Sequence, residues 1–274
     1  MKRLFVPRII AALMIVLTAL PAWADARHTV LMDVLKINEL SAILHEEGLE
    51  FGATLNREWL EEKGGPAWSG QVVRIYDTLR ISEGIRAGLE PAFEGDELEQ
   101  AISFFASDLG SKIVSLENSA RAAMGDPLIE EEARARFAQV QEGDDPKLAQ
   151  IERMIEAGDL LNRNVTSTLN ANYQFLRALV DGDVYVMSDE EILSDVQAER
   201  EAITADTLNW LGGFMTLAYS PLSVDELTTY ADFASSPAGK ALNSGFFAGF
   251  DPLYEDISYA LGRAMAFNMA AEEL

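Results

Sequence analysis

The chain has 274 residues, of which 45 are acidic and 21 basic, so its formal net charge is −24. A surface this acidic argues against nucleic acids and anionic lipid surfaces as partners, because binding phosphate groups requires a basic footprint. The complete absence of cysteine excludes disulfides, cysteine-ligated zinc and thiol catalysis.

The first 24 residues have the pattern of a cleaved signal peptide. Basic residues at 2, 3 and 8 precede an apolar run from Ile9 to Leu20, and Ala22-Trp23-Ala24 has the small-residue spacing of a cleavage site. Cleavage is expected after Ala24, which predicts an exported, periplasmic protein. Losing three basic residues from a chain of charge −24 would leave about −27. The alternative, an uncleaved anchor, conflicts with the shortness of the apolar run.

The first half of the remaining chain is predicted to be helical. Apolar residues recur at intervals of three and four over residues 25–60 and again over 69–89, where Pro91 ends the pattern. Two further helices are expected at 107–124 and 126–141. The turn-rich run from Gly143 to Pro146 is the predicted boundary, which gives a first helical repeat at 25–145 and a second at 146–274.

The second half continues the helical pattern. Long helices are expected over residues 147–180 and 188–219, separated by Asp181-Gly182-Asp183. Residues 184–187 are β-prone but isolated, so a loop is preferred to a strand. No set of alternating strands occurs anywhere in the chain, which predicts an all-α protein.

A helix-break-helix motif organises the second half. Ser223 and Glu226 have capping-box spacing, and Leu227 follows at the position of a hydrophobic staple. Ser236 offers a second N-cap, with Pro237 at the first position of a new helix. The full set of motif residues is Ser223, Glu226, Leu227, Phe233, Ser236, Pro237, Gly239 and Lys240.

An earlier, weaker copy of this motif lies between Phe93 and Gly110. Residues 71–110 align without gaps onto residues 200–239, and the shared positions include Phe104 with Phe233, Ser107 with Ser236, and Gly110 with Gly239. These are caps and breaks rather than generic leucines. The expected architecture is therefore a helical bundle of two tandem related repeats; chance similarity between amphipathic helices is the alternative.

The motif resembles the core of the bacterial domain-of-unknown-function family 2059. The matching residues are Asp225-Glu226-Leu227, Phe233 and Ser236-Pro237-Ala238-Gly239-Lys240, within residues 206–260. The resemblance implies an exported helical module. It implies no activity, because the family has no established one.

No catalytic, metal-binding or cofactor-binding set is predicted. The two histidines, His28 and His45, do not have the spacing of a zinc site. Acidic runs such as those at 130–132, 189–191 and 272–273 are typical of solvated helix ends. The sequence predicts no cofactor and no metal.

Aromatic residues at helical spacing in the C-terminal segment are the candidate partner-binding residues. They are Phe246, Phe247, Phe250 and Tyr254. They predict a groove between the repeats, although buried core positions are the alternative. The expected function is non-enzymatic binding of an envelope protein or peptide. The alternatives are a glycan hydrolase with two carboxylates and a structural spacer; the oligomeric state is not predictable.

Overall fold

The structure is a computed structural model that describes the backbone of residues 19–272 and the side chains of residues 26–270. The predicted signal peptide lies outside the described residues up to residue 18. Its predicted cleavage site, after Ala24, falls within the first described helix.

The described chain is helical throughout, without strands, which confirms the predicted all-α class. In order, the helices are α1 Ala19–Val34, α2 Ile37–Trp59, α3 Gly65–Ile75, α4 Thr78–Leu89, α5 Glu97–Phe105, α6 Asp108–Ala123, α7 Pro127–Glu142, α8 Leu148–Ala157, α9 Leu160–Val180, α10 Asp189–Ala198, α11 Arg200–Tyr219, α12 Val224–Ser235 and α13 Pro237–Glu272. Among the described helices, none is long and apolar enough to cross a membrane.

Two helices predicted as continuous in the first half are each divided. The helix expected over 25–60 breaks after α1, where Lys36 adopts left-handed backbone angles with φ 51°. The helix expected over 69–89 breaks after α3, and the Asp77 side chain caps the start of α4 by accepting from the backbone N–H groups of Leu79 and Arg80.

The same correction applies to two long helices of the second half. The segment 147–180 divides into α8 and α9 at Asp159, whose φ is 49°. The segment 188–219 divides into α10 and α11 at Glu199. Residues 184–187 form the predicted loop rather than a strand.

The longest helix, α13, lies at the centre of the molecule and packs against α4 and α9. Its contact with α4 is close because glycines face each other: a Cβ on Gly88 would lie 2.2 Å from the backbone nitrogen of Gly249. The main core draws buried residues from both halves, including Ile81, Ile85, Leu253 and Ile257.

The two copies of the motif have the same local geometry. The hydroxyls of Ser107 and Ser236 each donate to a phenylalanine carbonyl at 2.6 Å, and each accepts a glycine N–H at 3.1 Å. In the second copy both hydrogen bonds of the Ser223–Glu226 capping box are present. Each glycine is required by space, since a Cβ on Gly110 or Gly239 would lie 2.1 Å from a phenylalanine carbonyl oxygen.

The two copies touch each other at their matching aromatic residues. The rings of Phe104 and Phe233 are stacked, with centroids 4.1 Å apart. Helix α4 of the first half packs on α13 of the second, and α11 of the second half packs on α6 and α7 of the first. Each half therefore has helices that pack against helices of the other half.

Candidate functional site

Helix α6 carries the polar side chains that enter the space between the halves. Ser107 caps its start, and Ile113, Val114 and Ala120 are buried on its apolar face. Glu117 lies four residues after Ile113 and three before Ala120, so helical spacing places its carboxylate on that same apolar face. Asn118 and Arg121 follow within one turn.

Glu117 is held by two tyrosines of the second half. The hydroxyl of Tyr219, at the end of α11, and that of Tyr230, on α12, both donate to Oε1 of Glu117, at 2.7 and 2.9 Å. Burial raises the pKa of the Glu117 carboxyl, and the two tyrosine hydrogen bonds oppose that effect. Burial also raises the pKa of each tyrosine hydroxyl well above its ordinary value.

Glu117 and Asn118 line a largely apolar cavity of about 180 Å³, here called the Glu117 cavity. Asn118 is 5% exposed, and its side-chain amide nitrogen has no hydrogen-bond partner in the described structure. Buried polar groups are usually satisfied, so this one requires an explanation. The rest of the wall is Leu35, Leu40, Phe105, Val114, Met154, Gly158, Leu160, Met215, Tyr219, Tyr230, Phe233, Ala234, Gly239, Leu242, Asn243 and Phe246.

A second cavity, here called the Arg121 cavity, lies one turn further along α6 and measures about 210 Å³. The Arg121 guanidinium donates twice to the Glu47 carboxylate, both at 2.8 Å, and its centre lies 5.8 Å from the Trp210 ring centroid. The other lining residues are Leu44, Gly48, Phe51, Tyr76, Ile81, Leu253, Tyr254 and Ile257.

The predicted aromatic residues of α13 connect the two cavities. Phe246 lines the Glu117 cavity, Tyr254 lines the Arg121 cavity, and Phe250 stacks between them at 6.0 and 5.6 Å. All three are half-buried and pack against the main core. Phe247 is separate, because its ring stacks under the Arg163 guanidinium at 5.2 Å. The two cavities and the row of three rings are called the interhalf site below.

The residues of the second motif copy lie next to this site rather than in it, with two exceptions. Phe233 and Gly239 line the Glu117 cavity. Lys240 is exposed, and Leu227 is buried in a smaller core cluster with Tyr219. The capping box and the serine caps therefore fix the angle at which α12 and α13 approach α6.

A third cavity of about 460 Å³ lies between α7, α8 and α11. Its lining includes the exposed residues Glu132 and Arg136. The Lys147 ammonium at its edge already donates to the carbonyls of Tyr219 and Ser220, at 3.3 and 2.8 Å. This cavity is larger, and its lining includes Thr216, whose buried hydroxyl has no hydrogen-bond partner in the described structure. It differs from the Glu117 cavity in its walls, because Tyr219 is the one aromatic residue among its described lining residues.

Chemistry with paired carboxylates is not favoured by this arrangement. Among the residues lining each interhalf cavity there is one carboxylate: Glu117 in the first and Glu47, paired with Arg121, in the second. Glycoside cleavage requires two carboxyl groups flanking one bond.

In the part of the chain that the structure describes, the histidines and acidic residues do not form a metal site either. The Nδ1 atom of His45, one of the two histidines, lies 2.6 Å from the Tyr76 carbonyl oxygen. Within the described residues no group of three or more His, Cys, Asp or Glu could hold a metal ion.

Five residues of the interhalf site were not predicted from the sequence as site residues: Glu117, Asn118, Arg121, Tyr219 and Tyr230. One signal was available: Glu117 interrupts the apolar stripe formed by Ile113 and Ala120. An acidic residue inside such a stripe indicates either a special partner or a ligand.

Residues 80–139 match the family described as "Uncharacterized protein conserved in bacteria (DUF2059)". This confirms the resemblance. The match lies in the first half, whereas the motif residues had placed it at 206–260. It includes α6 with Glu117, Asn118 and Arg121. No curated protein and no solved structure matches the chain.

Proposed function

We propose that the protein is a non-enzymatic binding protein of the bacterial cell envelope and that it binds its partner at the interhalf site. The observation that carries this proposal is the unpartnered amide of Asn118 next to Glu117 in the wall of a partly open cavity. A buried amide without a partner costs about 1–3 kcal/mol. A ligand that satisfies it explains why such a costly group is present.

Location in the envelope follows from the signal-peptide pattern of residues 1–24, which predicts export to the periplasm. The partner we propose is a protein or peptide that inserts an apolar group between the halves. Phe51 supports this route, because it lines the Arg121 cavity and is nevertheless 48% exposed. Large apolar side chains left accessible at a cavity are typical of binding sites.

The experiment is photo-crosslinking in living cells from a photoreactive amino acid at position 51. We expect a recurrent product that mass spectrometry identifies as one envelope component. The control position is Leu128, which is 74% exposed and lines neither interhalf cavity. Products from position 128 alone, or from neither position in folded and exported protein, would overturn the proposal.

We also propose that the two halves are related repeats. The matched geometry at Ser107 and Ser236 and the direct stacking of Phe104 on Phe233 support this proposal. Contacts between equivalent residues are the mark of an isologous interface. The interhalf site would then lie at the junction of an internal pair.

A further inference from the structure

The Glu117 carboxylate has no cationic partner among the described residues. Its two hydrogen bonds within the described residues come from neutral hydroxyls, those of Tyr219 and Tyr230, and both reach the same oxygen, Oε1. The nearest cations along α6 are engaged elsewhere: Arg121 with Glu47, and Lys112 with Glu226 at 2.8 Å. The second oxygen, Oε2, is left to accept from a ligand.

The walls around this carboxylate are rich in aromatic rings. Five of the lining residues are aromatic: Phe105, Tyr219, Tyr230, Phe233 and Phe246. The faces of such rings attract cations, most strongly where water is excluded. A carboxylate combined with aromatic faces is the chemistry that recognises an organic ammonium group.

The remainder of the cavity suits a short apolar chain or ring. Leucines and methionines also line the cavity, including Leu35, Met154 and Leu242. The volume of about 180 Å³ is comparable with an engineered apolar cavity of about 150 Å³ that binds benzene. A ligand of about seven or eight non-hydrogen atoms fits this space.

The charge of the whole protein favours the same ligand. A formal net charge of −24 concentrates cations around the molecule and repels anions. Burial raises the pKa of Glu117, and a bound ammonium would supply the missing counter-charge.

We propose that the Glu117 cavity binds a primary ammonium carried on a short apolar group, with Glu117 accepting from the ammonium. This inference rests on the proposed binding function and names its ligand chemistry. The ammonium is supplied either by a free small amine or by a lysine side chain of a peptide partner.

The test measures affinity by isothermal titration calorimetry at pH 7 for three benzene derivatives of similar size and different charge: benzylammonium, benzyl alcohol and benzoate. We expect benzylammonium to bind at least about tenfold more tightly than benzyl alcohol, and benzoate not to bind. A second arm compares a short blocked peptide containing lysine with the same peptide containing norleucine, which lacks the ammonium.

The variant is Glu117→Gln, which keeps an acceptor for both tyrosine hydroxyls and removes the charge. We expect it to lose the preference for ammonium while still binding benzyl alcohol. Glu130→Gln, on α7, is the matched control, because Glu130 pairs with Arg134 and lines neither interhalf cavity. It should leave the benzylammonium affinity unchanged. If Glu117→Gln does not fold, the affinities of the wild-type protein for the three ligands test the proposal without the variant.

Tight binding of benzylammonium supports the proposal with a free amine as the source. Binding of the lysine peptide alone supports it with a peptide as the source. Equal affinities for ammonium and alcohol, or no binding in either arm, overturn it. If this proposal is overturned but a partner is crosslinked at position 51, the proposed binding function still holds.

Discussion

At the scale of the residue, Glu117 sets the chemistry of the interhalf site. It is an acid on the apolar face of α6, with two tyrosine hydroxyls as its hydrogen-bond donors. Burial disfavours its charged form, so its pKa is raised in the folded protein. The raised pKa means that the ionised Glu117 carboxylate destabilises the folded protein by an amount that depends on pH.

The sign of that dependence can be tested with Glu117→Gln. Because the folded state holds the Glu117 proton more tightly than the unfolded state, wild-type stability falls as pH rises above the ordinary glutamate pKa of about 4.3. Glutamine does not titrate, so the variant lacks this dependence of stability on pH. We therefore expect urea unfolding to show that the variant gains stability relative to wild type as the pH rises above the ordinary glutamate pKa of about 4.3.

Glu226 provides the opposite case. Its hydrogen bond from Lys112, followed by that from the Ser223 backbone, lowers its pKa to about 2. The stability that it contributes is present above the ordinary glutamate pKa and is lost as pH falls towards 2. Glu226→Gln should therefore be less stable than wild type at pH 7, with the difference shrinking below pH 4. Parallel pH profiles for the Glu117 and Glu226 variants would contradict at least one of the two assignments.

Asn118 yields a third prediction at this scale. Its amide nitrogen is unpartnered, so Asn118→Leu should raise the free energy of unfolding of the ligand-free protein by about 1 kcal/mol. Asn268 is the control: it is 8% exposed, and its amide donates to Gln71 and to the Ala264 carbonyl, both at 2.7 Å. Asn268→Leu should lower that free energy by about 1–3 kcal/mol. Urea unfolding of both variants distinguishes these signs.

At the scale of the element, the decisive feature is the abrupt turn between consecutive helices in each motif copy. The serine cap closes the turn, and the glycine lets the new helix start against the last carbonyls of the old one. The position of α6 and α13, and with it the position of the interhalf site, depends on these two turns.

Alanine at either glycine should destabilise the protein. A Cβ on Gly110 or Gly239 would lie 2.1 Å from a backbone oxygen, and we expect each substitution to lower the free energy of unfolding by about 2–3 kcal/mol. The control is Gly70→Ala, within α3, where the nearest atom is a flexible arginine tip at 3.5 Å. That change should be neutral or stabilising by up to about 1 kcal/mol. Equal effects in a thermal unfolding series would show that the close approach is unimportant.

Periodicity predicted the all-α class and most of the helical segments, but it did not predict where several helices divide. Lys36 and Asp159 adopt left-handed backbone angles, with φ 51° and 49°. Residues other than glycine seldom do so, although aspartate does so more often than lysine. The interhalf site was less predictable still. Tyr219 and Tyr230 lie 102 and 113 residues from Glu117, so only the folded arrangement brings them together.

At the scale of the whole molecule, the two halves depend on each other. Helix α4 is covered by α13, and the main core contains residues from both halves. Residues 143–146, the predicted boundary, therefore divide the sequence into two halves but do not divide the main core, which contains residues from both.

This dependence predicts that neither half folds alone. A fragment of residues 25–145 would expose the apolar face of α4, including Ile81, Ile85 and Leu89. We expect helical circular dichroism without a cooperative thermal transition, whereas residues 25–274 should unfold cooperatively. Mixing the fragment with residues 146–274 should restore the transition. A sharp transition in the isolated fragment would show that its core is sufficient.

The central place of α13 has a consequence for biosynthesis. Helix α4 ends at Leu89, and the helix that covers it begins at Pro237. A ribosome adding about 5–20 residues per second needs on the order of 10–30 s to make the intervening chain. During that time α1 and α2 can contact α4, but the side that α13 covers in the folded protein stays exposed. The main core is therefore incomplete, and the chain stays unfolded until α13 has been made. A chain that stays unfolded in this way is also one that can still be threaded through a narrow export channel.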